Sequence, residues 1–224
     1  MVEEKLQKLE HRIVEYLKHA EMMYAKAING IKNKNKEELN QIIIEDEQRS
    51  NRFEVKIEQL STVFLAKFAP KASALRTVIC IIKINNIAER IADHCVNISR
   101  FTLEIMDMSF VNYFDKQIND MLEISNMMLS DTITAYENND SQAAYLVMRK
   151  DKEVNQYRDI ILKRSIEEMI KTPDKIEALN KIINISRNVE RISDLVKNIC
   201  EEIIFKVDGE IIKHNRDEQI NALS

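Results

Sequence analysis

The sequence predicts an all-α protein of about six long helices, arranged as two tandem three-helix bundles. Three observations carry that reading. Glycine and proline occur twice each in 224 residues, where an average chain of this length holds about 25 of the two together. Apolar residues recur at steps of three and four along most of the chain, which puts them on one helix face. And IIKINNIAERIADHCVNI (81–98) lies over IINISRNVERISDLVKNI (182–199) without a gap, an internal repeat. Barrels, sandwiches and doubly wound sheets need frequent turns, and turns need glycine and proline, so the same scarcity excludes them. Glycine-rich phosphate loops go too, because Gly30 and Gly209 cannot compose one.

The first helix is marked by Leu6, Leu9, Ile13, Tyr16, Ala20, Met23 and Ala27 and is expected to end near Gly30. Lys32, Lys34 and Lys36, interleaved with Asn33 and Asn35, read as a solvated turn. A second helix runs from about Lys36 to Phe68 on the stripe Leu39, Ile43, Phe53, Ile57, Leu60 and Phe64, and Pro70 ends it. A third spans about Ala72 to Met108, with Ile81, Ile84, Ala88, Ile91, Cys95, Ile98, Thr102 and Ile105 on its stripe. The pattern then recurs. A fourth helix covers about Asn112 to Glu137 through Ile118, Leu122, Ser125 and Leu129. Asn138, Asn139 and Asp140 form a turn, with Ser141 as the cap of a fifth helix running to about Lys171. Thr172 caps the sixth, with Pro173 at its first position. Its stripe is Ile182, Ile185, Val189, Ile192, Val196, Ile199 and Ile203, ending before Asp208 and Gly209. The duplication divides the chain into 1–109 and 110–224, each long enough for a bundle with its own core.

At 45% hydrophobic and 31% charged, the chain is too apolar for disorder. A net charge of −4 with no extended basic stripe argues against a nucleic-acid partner. Cys80, Cys95 and Cys200 are odd in number and far apart, so core thiols are expected rather than disulfides or a zinc knuckle. The charged start MVEEKLQKLEHR does not read as a signal peptide. Apolar runs fall well short of the ~18 residues of a membrane span. A cytoplasmic location is expected, with membrane contact made only through partners.

The repeated polar motif is E-R-I-x-D, Glu89 to Asp93 and Glu190 to Asp194. Residues four apart share a helix face, so each motif sets two carboxylates together at a cost of about 0.2–0.5 kcal/mol, which a bound cation would relieve. Taken singly, such a pair is most simply two solvated acids beside Arg90 or Arg191; recurrence at one phase in both halves favours a shared role. Each pair follows a stripe residue, Ala88 or Val189, by one position. At about 100° per residue that directs it to a groove or outer surface rather than the bundle core. Glu47 with Asn51, and Asp151 with Asn155, are candidate partner pairs at the same spacing on the second and fifth helices. Carboxylates and amide carbonyls are hard oxygen donors, suited to Mg, Mn, Ca or oxidised Fe. A di-iron carboxylate site also requires ExxH, and none of the four histidines follows a Glu by three. His94 could extend the first site, but its counterpart is Leu195, so it reads as a partly exposed helix histidine. GxSxG and HExxH are absent, and nothing points to an enzyme.

AERIADHCVNI (88–98) and VERISDLVKNICEEIIFKVDGE (189–210) resemble the two signature helices of the PhoU family, phosphate-uptake regulators of bacteria and archaea. Members read LERIGDHAVNIAE in each half and close the second with EEVIYLVEGE. IIIEDEQRSNRFEVKIEQL (42–60) is similar to the family's preceding helix, VIERDxxIDxLExEI. The resemblance covers nearly the whole chain and implies tandem three-helix bundles without enzymatic activity. It implies divalent or trivalent metal ions, iron foremost with Mn, Mg or Zn as alternatives, bound through E/D-x-x-x-D on two helices per half. It implies a homodimer at the inner face of the membrane, partnered by the ATPase of the phosphate ABC transporter and by the phosphate-sensing histidine kinase. Uptake would be restrained and the kinase held in its repressing state when phosphate is plentiful. Matched residue by residue, Glu89, Asp93, Glu190 and Asp194 fall on the third-helix arms, and Glu47 and Asp151 on the second-helix acids. The family's second aspartate is Asn51 here and Asn155 here. An amide carbonyl is neutral, so weaker metal binding is expected. Two other functions fit the residues: a metal-storing bundle, and an accessory protein of a different, ion-driven phosphate carrier.

Overall fold

The computed structural model describes residues 2–106, 108 and 116–212. The helices are α1 (Val2–Asn33), α2 (Lys36–Gln41), α3 (Glu47–Phe68), α4 (Ala72–Met106), α5 (Lys116–Asn138), α6 (Ser141–Lys171) and α7 (Ile176–Asp208). A π turn, Ile42–Asp46, joins α2 to α3, so the two make one long bent helix. The all-α expectation holds. The expected division at 109/110 and the expected helix start at Asn112 lie outside the described residues.

One bundle is α1, α2–α3 and α4; the other is α5, α6 and α7. The apolar stripes close each core: Ile13, Tyr16, Ile57, Ile84 and Ile91 in the first, Leu122, Leu129, Ile185, Ile192 and Ile199 in the second, all buried. The three cysteines are free and buried, as expected. The bundles join mainly along α4 and α7, which run antiparallel. Cys80 Sγ donates to the Glu202 carbonyl at 3.4 Å, His94 Nδ1 lies 2.8 Å from Asn188 Oδ1, and Lys181 meets Glu104. These pairings centre the crossing on the two E-R-I-x-D motifs.

Four local expectations are corrected. α1 does not end at Gly30 but runs on to Asn33. A Cβ on Gly30 would stand 2.5 Å from Leu39 Cδ2, so this glycine permits close approach rather than a turn. Lys34, at φ 53, makes the left-handed turn, and Asn35 N–H closes it on the Gly30 carbonyl at 3.1 Å. The second helix is interrupted by the π turn, where Asp46 is buried and receives Lys26 Nζ at 2.8 Å while its carbonyl accepts from His19 Nε2 at 3.0 Å. Asp140, not Ser141, caps α6: its backbone is extended and its carboxylate accepts from Ala143 N–H at 2.9 Å. Thr172 does not cap the last helix. Its hydroxyl donates back to Glu168 at 3.3 Å, Pro173–Lys175 form a 3-10 turn, and α7 begins at Ile176.

Candidate functional site

In the first repeat Glu89 is half-buried on α4, and Asp93, one turn on, is exposed. The register of α3 against α4 is fixed by Asn85 Nδ2 donating to the Glu54 carbonyl at 3.1 Å. That pairing brings Glu54 close to Glu89. Burial pushes the Glu89 carboxyl up to about 7, the charges of Asp93 and Glu54 add to the rise, and Arg90 opposes it. Glu47 lies further along, 3.9 Å from Arg100. Asn51 is exposed. The Tyr16 ring stacks on Phe53 at 5.3 Å and its hydroxyl pairs with Ser50 at 2.8 Å. Burial raises that hydroxyl's pKa, and the charges of Glu54, Glu89 and Asp93 act in the same direction. The group beside the acids is therefore a neutral phenol.

The second repeat places matched positions in a different chemistry. Asp151 is 5% exposed. Lys197 Nζ lies 2.7 Å from Asp151 Oδ2 and 2.9 Å from Asp194 Oδ1. Asn155 Nδ2 also donates to Asp151 Oδ2, at 2.9 Å. Arg158 Nη1 lies 3.6 Å from Glu190 Oε1. Burial works against the Lys197 ammonium, but its hydrogen bonds to Asp151 and Asp194 outweigh burial and raise its pKa. Burial and Asp194 raise the pKa of Glu190, and Arg158 pulls the other way.

All four sequence-derived residues of the second repeat thus gather in one network. In the first, Glu89 and Asp93 join Glu54, while Glu47 is drawn toward Arg100. Asp151 is buried rather than facing a groove: α7 covers it, and Lys197 supplies the charge that makes its burial possible. Glu54, Arg158 and Lys197 were not among the sequence candidates. Each stands one turn, three residues, beyond a candidate (Asn51, Asn155 and Asp194), and that spacing was the available signal.

Among the described residues no group of three or more His, Cys, Asp or Glu side chains stands ready to hold a metal ion. By donor type alone Glu54, Glu89 and Asp93 of the first repeat suit a hard cation, being oxygen donors with no lysine bridging them. The second repeat does not fit, because its carboxylates already hold an ammonium and a guanidinium.

The two sites adjoin. Arg90, Asp93 and His94 from α4 and Arg191, Asp194 and Leu195 from α7 line a cleft of about 320 Å³ on the seam. His94 is half-buried there, its pKa lowered by burial, and it bridges the repeats through Asn188. Among the described residues no helix is long and apolar enough to cross a membrane.

A family model described as the PhoU domain matches residues 3–102 and 118–203. The chain is similar to the phosphate-specific transport system accessory protein PhoU homolog of Borreliella burgdorferi, 29% identical over 94% of this chain and 98% of that protein. It is likewise 29% identical to the phosphate-specific transport system accessory protein PhoU of Serratia marcescens, over 91% of this chain and 83% of that one. The crystal structure of the phosphate transport system regulatory protein PhoU from Streptococcus pneumoniae superposes with a TM-score of 0.87 at 25% identity, covering 95% of this chain and all (100%) of that one. PhoU from Pseudomonas aeruginosa shares the fold, with a TM-score of 0.90 at 23% identity over 94% of this chain and 100% of its own.

Proposed function

The chain belongs to the PhoU family, an accessory and regulatory family of phosphate transport, and from that premise we propose how it acts. It restrains the phosphate-specific ABC transporter and keeps the phosphate-sensing histidine kinase in its repressing state when phosphate is plentiful. It works in the cytoplasm, as a homodimer, and reaches the membrane through those partners. The observation that supports this reading is the pair of PhoU domains, which together span both bundles. Action is by contact rather than catalysis. Val55 and Val63 on α3, and Leu146, Ile160, Ile166 and Ile170 on α6, are apolar side chains left exposed on the outer helices. Such residues are the raw material of a docking face.

A metal ion, iron foremost, with Mn, Mg or Zn as alternatives, would be held in the first repeat by Glu89, Asp93 and Glu54, with Glu47 and Asn51 further along α3. Its charge would relieve the crowding of acids there. Bulk metal storage is the weaker reading, because the second repeat meets its own acids with Lys197 and Arg158.

The test is co-purification. The tagged chain, expressed in its own cell under plentiful phosphate, should bring down the ATPase of the phosphate ABC transporter. Recovery of an ion-driven phosphate carrier instead would move the chain to a different transporter. Recovery of neither would remove the contact mechanism.

A further inference from the structure

The repeats share the E-R-I-x-D motif at matched positions, yet they differ in charge at two positions that adjoin its acids. Laid over each other without a gap, 81–98 and 182–199 pair Glu89 with Glu190, Asp93 with Asp194 and Val96 with Lys197. On the preceding helices, pairing Glu47 with Asp151 and Asn51 with Asn155 sets Glu54 opposite Arg158. At these two positions, Val96/Lys197 and Glu54/Arg158, the second repeat carries a cation where the first does not.

We propose that the second repeat carries its own counter-ion: Lys197 takes the place, between Asp151 and Asp194, that a metal ion would occupy, and the metal affinity of the chain is confined to the first repeat. The contacts support this. Lys197 Nζ reaches one carboxylate on each of two helices, at 2.7 and 2.9 Å, bridging α6 and α7 as a shared ligand would. Its side chain is 17% exposed and that of Asp151 8%. Asn155 Nδ2 donates to the same Asp151 oxygen, adding to the hold on that carboxylate. Arg158 answers Glu190. Arg158 is also 2.9 Å from Asp159, so two cations serve Asp151, Asp194, Glu190 and Asp159. In the first repeat, among the described residues, Arg100 meets Glu47 at 3.9 Å across the helices, and no lysine bridges Glu54, Glu89 and Asp93. Val96, opposite Lys197 in the repeat, is buried and apolar.

A divalent ion entering the second repeat would have to break two charge-assisted hydrogen bonds. It would also leave an ammonium on a short tether beside a second positive charge, in partly buried surroundings where repulsion is weakly screened. In the first repeat the ion pair to be displaced is the looser contact of Arg100 with Glu47, at 3.9 Å. One half of the molecule then has a charge balance set by sequence, and the other a balance set by metal supply.

This inference rests on the metal-binding part of the proposed function, and the two fail separately. The full chain is stripped with chelator and titrated with manganese(II), with bound metal read by elemental analysis and by loss of the free-ion paramagnetic resonance signal. Wild type should bind in the first repeat alone: Glu89→Gln/Asp93→Asn should abolish binding, and Glu190→Gln/Asp194→Asn should leave it unchanged. Lys197→Val, which installs the residue of the matched position, should gain an additional manganese per chain, lost again when Glu190→Gln/Asp194→Asn is added. Lys197→Met, which keeps the chain length without the charge, is the second variant should the valine fold poorly. With it, manganese should raise the melting temperature by more than in wild type. Metal lost from wild type on Glu190→Gln/Asp194→Asn would overturn the inference. So would folded Lys197 variants that gain no metal while the first repeat binds. Absence of manganese from wild type and from every folded variant would overturn the metal-binding reading along with it.

Discussion

Glu89 costs the fold stability as pH rises. Its folded pKa, about 7, lies above the ordinary value of 4.5, chiefly through burial and then through Asp93 and Glu54. Between those values the unfolded chain has released its proton and the folded chain has not, so stability falls across that window. In chelator, Glu89→Gln should therefore melt at a higher temperature than wild type at pH 8, with the difference vanishing by about pH 4.5. Thermal melts across that range check it; an equal difference at both ends would contradict the assignment. Lys197 carries the opposite sign. Its raised pKa gives a contribution that is fully present below its ordinary value of 10.5 and is lost as pH climbs through the folded one. Removing one partner of a buried pair strands the other charge, so Lys197→Met without metal should destabilise by about 3 kcal/mol. Adding Asp151→Asn should restore most of that, and urea unfolding of the double-mutant cycle measures the coupling. At this scale the acids were legible and the cations were not. Glu89 and Asp93 declare themselves by repetition, whereas Lys197 and Arg158 differ from their counterparts, and a repeat search rewards sameness.

Helix existence was readable because the apolar stripes are long and regular; helix ends were not, because each is decided by one local contact. Gly30 illustrates the difference. In sequence it looks like a stop, yet it sits inside α1 because Leu39 of α2 presses on its backbone. Helix propensity alone would make Gly30→Ala stabilising by about 1 kcal/mol. Leu39 is fully buried and cannot move aside, so overpacking should dominate and destabilise by about 1–3 kcal/mol. Gly30→Ala with Leu39→Ala should lose less than the two single losses together, which chemical unfolding would reveal. Asp140→Ala should cost about 1 kcal/mol through loss of the α6 cap, and Ser141→Ala much less. The π turn had no sequence signal: Ile42 to Asp46 continue the apolar pattern, and the extra residue shows only in how Asp46 turns inward to Lys26.

The whole molecule is a duplicated bundle pair closed on its two signature helices. The duplication could be read directly, since identical polar residues recur at identical phase. The consequence of antiparallel packing could not. It brings Arg90, Asp93 and His94 of one repeat beside Arg191, Asp194 and Leu195 of the other, around one cleft. The acids of the first repeat and the lysine-balanced acids of the second therefore share a wall, where the bundles meet. Apolar residues of α3 and α6 are exposed on the outer helices. In the proposed role, contacts with the transporter and the kinase hold phosphate signalling off. The most direct measurement is the output of a phosphate-starvation promoter in plentiful phosphate, in cells lacking this chain and in the same cells given it back. Output that is constitutive without the chain and silenced on its return is the expected result. Output that stays low in its absence and still rises normally on starvation would contradict the account.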